Sequence, residues 1–190
     1  MQKVELLDFI TSFPVGSLEQ RCLVNALELA KICHEGQKRK VTNEDYIVHP
    51  MEVAEILLDV GISGVPTIAA ALLHDVIEDC QLPARTTIRA KCGPLVESYV
   101  IDCTNSFDSA IFGRRAVRKA KEADRLSKCP ETVQNIKLAD AISNLRTAGL
   151  LGEEFSKIYA NEKLQLARKL NLGRRELRKR AIELALEILK

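Results

Sequence analysis

The residues that could do chemistry are concentrated at the end of one apolar run, AAALLHDVIED, at positions 69–79. On a continuous helix His74 would lie beside Glu78, and Asp75 beside Asp79, because residues four apart share a face. Burying an unpaired carboxylate costs several kcal/mol, so buried carboxylates are usually paired or bound to a metal. The pattern favours metal ligands next to a general base. The alternative is a helix end whose charges are solvated.

Two further segments could contribute ligands. His49 precedes Pro50, and proline favours the first helical position, so we expect His49 at the N-cap of a helix that ends near Asp59. Asp140 lies in LADAI with apolar residues on both sides, which leaves two possibilities open. It is either buried with a partner or exposed on an amphipathic helix. Asn144 shares its helix face at i, i+4.

Together these candidates form a mixed nitrogen and oxygen ligand set, which suits Mn²⁺, Fe²⁺ or Zn²⁺ better than a thiolate-seeking metal. Four protein ligands leave open positions on an octahedral ion for water and a phosphate oxygen. Such an ion can generate hydroxide near neutral pH and polarise phosphorus. We expect one divalent ion, with Mn²⁺ as the first expectation. The candidate ligands are His49, His74, Asp75 and Asp140, with Glu78, Asp79 and Asn144 nearby.

The elements that must position these residues are helices, since apolar residues recur at helical spacing and no useful β-period alternation appears. Ser17 and Gln20 predict a capping box. His34 continues an apolar helix face, where a satisfied core residue or one that supports a ligand is expected more often than a ligand itself. We expect helices at about 17–35, 49–59, 67–80 (ended by Gln81–Leu82–Pro83), 84–91, 94–102, 113–128, 130–148, 153–170 and 174–189, with a loop at 103–112.

The fold class is therefore all-α, a single compact multi-helix domain over residues 1–190. Its core is expected at about 17–148, with the C-terminal helices at about 153–189 packing on it. A chain of 190 residues that is 46% hydrophobic and 28% charged is typical of a soluble globular domain. No apolar stretch could span a bilayer, and the N-terminus lacks a signal-peptide pattern, so we expect a cytoplasmic protein with no membrane partner.

Charge and cysteine content argue against a nucleic-acid-binding protein, a zinc ribbon and a disulfide-bonded protein. The formal net charge is only +2, so nucleic acid is not expected as a partner, although basic clusters occur at 38–40, 114–121 and 168–180. The six cysteines form no CxxC pair, and zinc-ribbon spacing is absent. Disulfides are rare in the cytosol, so we expect reduced thiols.

The ordered set H…HD…D resembles the HD-domain metal-dependent phosphohydrolases. Four motifs narrow the likeness to the RelA/SpoT-type (p)ppGpp hydrolase domain: HEGQKRK at 34–40, YIVHPMEVAEIL at 46–57, AALLHDVIEDC at 70–80 and IKLADAISNLRT at 136–147. The likeness covers about residues 22–147. A chain of this length has no room for the synthetase domain of the long enzymes, so it resembles a stand-alone small alarmone hydrolase.

The resemblance implies a reaction of the stringent response, in which an alarmone is degraded. That reaction removes the 3′-pyrophosphate from guanosine 3′,5′-bis(diphosphate), or ppGpp, and from its pentaphosphate relative. The resemblance also implies roles: His49, His74, Asp75 and Asp140 as metal ligands, Glu78 and Asp79 handling the attacking water, Asn144 helping to place it, Arg39 and Lys40 contacting substrate, and Tyr159 contacting the nucleotide.

Two departures leave substrate selectivity open. Residues 43–45, Asn-Glu-Asp, stand where the family has a glycine-containing turn. The segment after Thr104 usually starts with Thr-Asp in the family, whereas this chain has Asn-Ser-Phe-Asp at residues 105–108. One alternative is an HD-domain phosphohydrolase of another nucleotide, such as a dNTP, a nucleoside monophosphate or a nicotinamide dinucleotide phosphate. Another is a non-catalytic module that binds an alarmone or nucleic acid through the basic stretch 168–180. The native metal, the oligomeric state and the partner synthetase are not determined by the sequence.

Overall fold

The computed structural model describes residues 5–80, 84–107 and 109–190. Within those ranges the secondary structure is helical, apart from one isolated bridge between Lys38 and Asp45. The predicted all-α class is confirmed. None of the helices in these ranges is long and apolar enough to cross a membrane. The predicted helix end at Gln81–Pro83, and Asp108 of the second departure, lie outside the described residues.

The chain divides into two compact units. The first comprises the described residues up to Arg39 together with Asn43–Thr104, and the second comprises Lys40–Thr42 and Asn105–Lys190. The prediction of a single domain stays a prediction. Helices of the first unit are α1 (Leu6–Thr11), α2 (Leu18–Cys33), α3 (Val48–Asp59), α4 (Val65–Leu73), α5 (Val76–Asp79), α6 (Ala84–Cys92) and α7 (Pro94–Cys103).

Helix α4 is the centre of the first unit. It packs against α2, α3 and α7. Its residues from Ile68 to Leu73 are fully buried, which explains why this segment is apolar on every side. The helix therefore brings the residues that follow it directly to the interior.

The predicted capping box begins α2. The Ser17 side chain accepts a hydrogen bond from the Gln20 backbone N–H at 3.2 Å. The Gln20 side chain in turn accepts one from the backbone N–H of Gly16 at 2.9 Å. The helix ends at Cys33, and Gly36 follows in the left-handed conformation at φ 74°. Glycine adopts that conformation without a Cβ penalty, so the chain can turn away there.

The prediction of one continuous helix through the His-Asp pair is wrong. Helix α4 ends at Leu73, His74 and Asp75 form a turn, and α5 begins at Val76. The His74 ring bonds to the Ala71 carbonyl at 2.8 Å, which a continuous helix would use for the Asp75 backbone N–H. Such local side-chain bonds compete with the helix ladder. His74 and Glu78 therefore do not share one helix.

Helices of the second unit are α8 (Ser109–Phe112), α9 (Arg115–Leu126), α10 (Glu131–Ala148), α11 (Glu153–Lys169) and α12 (Arg175–Ile188), with a 3₁₀ turn at Gly149–Leu151. The predicted loop at 103–112 is therefore wrong where α8 forms. Helix α10 packs against α11 and α12, and all its residues from Val133 to Ser143 are buried. It is a central helix, because an amphipathic surface helix would bury only a stripe.

Gln134 connects the turn before α10 with the turn before α12 through side-chain hydrogen bonds. Its side-chain amide nitrogen donates to the carbonyls of Ser127 and Cys129, each at 3.0 Å. Its amide oxygen accepts from the backbone N–H groups of Leu172 at 3.0 Å and Gly173 at 3.3 Å. One buried side chain thereby satisfies four backbone groups, in the turn before α10 and in the turn before α12.

Candidate metal centre

Three predicted ligands meet in the first unit. The Nε2 atom of His74 lies 3.2 Å from Asp75 Oδ2, and the Nε2 atom of His49 lies 3.6 Å from the same oxygen. The two imidazole rings are 5.2 Å apart between centroids. His74 is fully buried and His49 is 2% exposed. The structure therefore brings two nitrogen ligands and one oxygen ligand of the predicted set together.

His49 reaches this position from the first turn of α3. The helix begins at Val48 with Ile47 at the N-cap, so the predicted N-cap position of His49 is wrong by two residues. The physical reason is that the turn before α3 is already wound. The backbone N–H of Val48 donates to the Asp45 carbonyl at 3.1 Å, and that of His49 to the Tyr46 carbonyl at 2.9 Å. Pro50 still lies in the first turn, where its missing N–H is tolerated.

The tautomer of His74 follows from its backbone contact. A carbonyl oxygen can only accept, so Nδ1 of His74 carries the proton that is donated to Ala71. In the neutral ring, Nε2 then presents a lone pair toward the Asp75 carboxylate. A lone pair and a carboxylate oxygen at 3.2 Å repel each other unless a cation, either a proton or a metal ion, lies with them. This donor set fits a divalent metal ion.

Tyr46 supports the ligands and was missed by sequence reasoning. Its hydroxyl donates to Asp75 Oδ2 at 2.6 Å, and its ring lies against His49 with a centroid distance of 5.7 Å. On its other side the ring stacks on His34 at 4.6 Å. The usable signal was its position three residues before His49, next to a helix start. A ligand carboxylate held by a hydrogen bond is typical of metal sites.

His34 lies in the core, as predicted. It is 3% exposed, and its Nδ1 atom forms a 2.9 Å hydrogen bond with the Gln37 side-chain oxygen. The Gln37 amide also donates to the backbone carbonyl of Asp79 at 3.4 Å. His34 therefore links the end of α2 to the segment that carries the acidic pair.

The acidic pair Glu78 and Asp79 lies on α5, with both residues exposed. Loss of hydration, followed by the negative charge of Asp75, raises the pKa of Asp79. The Tyr46 hydrogen bond and the neighbouring histidines oppose that shift but do not cancel it. A carboxylate with a raised pKa is a stronger proton acceptor than an ordinary aspartate. The segment is thus suited to proton transfer beside the ligands.

The basic loop after α2 has an internal turn. The Arg39 backbone N–H donates to the Glu44 carbonyl, and that of Asn43 donates to the Arg39 carbonyl, each at 2.9 Å. Asn43 has φ 58°, a left-handed conformation that favours glycine and that asparagine tolerates. It therefore supplies the turn for which the family pattern uses glycine. Arg39 is half-buried and Lys40 is exposed.

Asp140 lies in the second unit and is 5% exposed, which decides between its two predicted environments in favour of burial. The ammonium groups of Lys137 and Lys163 each lie 3.4 Å from its Oδ2 atom, and the Asn144 amide donates to Oδ1. Burial lowers the pKa of Lys163, but the charges of Asp140 and Tyr159 and the hydrogen bond to Asp140 together outweigh it, so the pKa is raised. Lys163 also lies over the Tyr159 ring, 5.4 Å from its centroid.

The two lysine contacts of Asp140 were not predicted. Lys137 shares α10 with Asp140, so its i, i+3 spacing was the available signal. Lys163 comes from α11, and no local pattern joins it to Asp140. Nearby in the same unit, burial and the charges of Lys163 and Arg115 lower the pKa of Lys119. Part of the basic helix α9 is neutralised, since Arg115 binds Glu162 through two bonds of 2.7 and 2.8 Å.

This chain is similar in sequence to proteins of known family and activity. The HD-domain family profile matches residues 26–173. The guanosine-3′,5′-bis(diphosphate) 3′-pyrophosphohydrolase of Vibrio cholerae is 33% identical over 164 residues, covering 84% of this chain and 22% of that protein. The GTP pyrophosphokinase of Streptomyces coelicolor is 35% identical over 150 residues, covering 77% of this chain and 17% of that protein. The chain thus spans about a quarter or less of the curated relatives it matches.

A solved structure shares the fold. It is described as a metazoan ortholog of SpoT that hydrolyses ppGpp, and it superposes with a TM-score of 0.79 at 24% identity. The match covers 92% of this chain and 97% of that one. HD domains bind divalent metal ions. Because the family profile matches residues 26–173, most of this chain, the chain belongs to the HD-domain family.

Proposed function

We propose that this chain is a divalent-metal-dependent pyrophosphohydrolase that removes the 3′-pyrophosphate of ppGpp and of its pentaphosphate relative. The observation that carries the proposal is the meeting of His49, His74 and Asp75, with Asp75 held by Tyr46. The activity for which the Vibrio cholerae relative is named supports the choice of reaction, since its similarity extends over 84% of this chain.

The metal ligands in this proposal are His49, His74, Asp75 and Asp140, and the expected ion is Mn²⁺. Two imidazoles and two carboxylates match the preferences of such an ion. When bound, it supplies Lewis acidity to the phosphoryl group and to water. Tyr46 orients the Asp75 carboxylate through the 2.6 Å bond. Asn144 orients the carboxylate of Asp140 in the same manner.

Proton transfer is assigned to the acidic pair on α5. Glu78 is exposed, so it can reach a water molecule and a bulky nucleotide. Asp79 has a raised pKa, which suits a group that shares or relays a proton. Asn144 is proposed to help place the attacking water. Its amide nitrogen donates to Asp140, while its amide oxygen has acceptor capacity of its own.

Substrate binding is assigned to Arg39, Lys40 and Tyr159. A guanidinium grips phosphate through two parallel bonds, whereas an ammonium acts as a point charge. The turn closed by Asn43 holds the backbone of Arg39 on both sides, which presents its side chain from a fixed position. Tyr159 is half-buried and has an aromatic face that a base or ribose could contact.

The deciding experiment is product analysis of ppGpp turnover by the full chain with Mn²⁺. Guanosine 5′-diphosphate and pyrophosphate should form in equal amounts. A chelator-treated sample and the Glu78→Gln variant serve as controls, and both should be slow. Release of orthophosphate alone would contradict the proposal. So would preferential turnover of a dNTP, a nucleoside monophosphate or a nicotinamide dinucleotide phosphate in a parallel panel.

A further inference from the structure

Two pairs of cysteines connect α2 with the segment 80–92. In the first pair, the Cys22 thiol lies 3.7 Å from the Cys92 carbonyl, and the Cys92 thiol lies 3.8 Å from the Cys22 carbonyl. In the second, the Cys80 thiol donates to the Cys33 carbonyl at 3.0 Å. Cys22 and Cys33 are about three helical turns apart, so they share one face of α2. All six cysteines lie in the described residues, and none of them is in a disulfide.

The Cys22–Cys92 pair is held in register by its neighbours. The Asn25 side-chain amide donates to the Lys91 carbonyl at 2.9 Å, one turn along α2 from Cys22. Helix α6 ends at Cys92, and Gly93 follows at φ 92°. Reciprocal thiol-to-carbonyl contacts require the two cysteines to lie side by side.

The two pairs differ in exposure and in thiol chemistry. Cys22 and Cys92 are both partly exposed, so a small reagent can reach them. The hydrogen bond from Cys92 lowers the pKa of Cys22 despite some burial, and the same bond raises the pKa of Cys92. Burial raises the pKa of Cys33, and burial beside Cys33 raises the pKa of Cys80 to about 12. Thiolates are the reactive form, so Cys22 is the stronger nucleophile.

We propose that Cys22 and Cys92 form a reversible intramolecular disulfide with a low-molecular-weight disulfide as oxidant. The Cys22 thiolate attacks one sulfur of the oxidant, and the first small thiolate leaves. Cys92 then attacks Cys22 Sγ in the mixed disulfide, and the second small thiolate leaves. The protein loses two protons and two electrons, and the oxidant is reduced to two thiols.

This site is independent of the proposed phosphohydrolase activity, since neither cysteine contacts the proposed metal ligands or the acidic pair in the described contacts. The bridge would close a loop between residues 70 positions apart, a loop that contains α3, α4 and α5. Closing a long loop stabilises a fold mainly by constraining the unfolded chain. Oxidation should therefore raise the melting temperature, and reduction should reverse the rise.

The test uses the full reduced chain, incubated with oxidised glutathione, alkylated and mapped by peptide mass spectrometry. A Cys22–Cys92 cross-linked peptide should appear, and dithiothreitol should remove it. The Cys92→Ser variant should instead retain glutathione on Cys22, because the resolving thiol is gone. Cys80→Ser is the matched control and should form the Cys22–Cys92 cross-link as the wild type does.

Two results from the same samples would contradict the disulfide proposal. A wild-type chain that accumulates glutathione adducts without the Cys22–Cys92 peptide overturns the proposal, as does a cross-link that forms first between Cys33 and Cys80. Alkylation rates at neutral pH provide a second measurement that needs no variant. Cys22 should react faster than Cys92, because the larger thiolate fraction lies on Cys22. Equal rates would show that the contact does not activate Cys22.

Discussion

Asp75 is the candidate ligand that contacts both histidines and Tyr46. One of its oxygens accepts the Tyr46 hydroxyl at 2.6 Å and faces the nitrogens of His74 at 3.2 Å and His49 at 3.6 Å. The sequence singled out the histidines and the aspartate as candidates by their types and order. It did not indicate the Tyr46–Asp75 hydrogen bond, because a contact between residues 29 positions apart leaves no local pattern.

Removing the Tyr46 hydroxyl should weaken metal binding without removing it. Tyr46→Phe keeps the ring that packs between His34 and His49, so the fold should persist. Loss of a hydrogen bond to a ligand typically costs about 10–100-fold in metal affinity. Titration of the metal-free chain with Mn²⁺ measures the change. Tyr99→Phe on α7 is the control and should bind as the wild type does; unchanged affinity in Tyr46→Phe would show that Asp75 needs no support.

Glu78 and His74 should behave differently although they are close in sequence. His74→Ala removes a ligand, so metal, metal-dependent stability and activity should be lost together. Glu78→Gln keeps the size of an exposed side chain but removes its basicity, and loss of a positioned base typically costs about 10²–10⁴ in rate. Metal content by elemental analysis and single-turnover rates separate the two effects.

Two results for Glu78→Gln would contradict the assignment of His74 as a ligand and Glu78 as the base. Wild-type turnover would make Glu78 a solvated residue with no role in the reaction. Loss of metal would make it a ligand, and the base would then have to be Asp79.

At the scale of elements, the turn between α11 and α12 depends on a glycine for space. A Cβ at Gly173 would meet the Leu138 side chain and would lie 3.3 Å from the Leu170 carbonyl. Leu138 is fully buried on α10, so it has little room to move. Close approach of α10 to this turn therefore requires a residue without a side chain.

Gly173→Ala should destabilise the protein by about 1–3 kcal/mol, the usual cost of overpacking. Gly149→Ala is the matched control, because a Cβ there meets nothing within 4 Å and its backbone is helical at φ −59°. That change should be neutral or stabilising by up to about 1 kcal/mol. Urea unfolding followed by circular dichroism measures both; equal stabilities would show that Leu138 adjusts freely.

The helix boundaries show which parts of the fold local sequence determines. Pro94 and the Ser17–Gln20 box set the starts of α7 and α2 as predicted, because caps act within a few residues. The break after Leu73 was not predictable from periodicity, since it coincides with a ring-to-carbonyl bond of His74. The sequence left open whether the helix of Asp140 is buried or amphipathic, and in the structure α10 is buried from Val133 to Ser143 because it packs against α11 and α12.

At the scale of the whole molecule, metal binding should raise the melting temperature in a concentration-dependent way. A ligand that binds only the native state stabilises it by about 2.7 kcal/mol at a free concentration of about 100 times Kd. Thermal unfolding with increasing Mn²⁺ measures this, and His74→Ala should show no response. Elemental analysis without transition metal, together with no thermal response to Mn²⁺, Fe²⁺ or Zn²⁺, would sink the metal proposal.

The fold class was therefore predictable from the sequence, whereas several contacts that hold the candidate residues in place were not. Helical periodicity is a local property, and the order of His49, His74, Asp75 and Asp140 can be read along the chain. Lys163 against Asp140 and the Tyr46 hydroxyl against Asp75 come from packing between distant segments, whereas Lys137 lies at i, i+3 on the same helix as Asp140. Asn43 is an intermediate case, since asparagine tolerates the left-handed turn for which the family uses glycine, but its φ of 58° appears only in the structure.

The continuous burial of Val133–Ser143 on α10 has a consequence for the time scale of opening. Amide hydrogens in such a segment exchange with solvent deuterium only when the surrounding unit opens as a whole, whereas helix ends exchange by local fraying. Those of α10 should thus be among the last in the second unit to exchange. The backbone that carries Asp140 would then keep its conformation through the local fluctuations that admit and release small molecules.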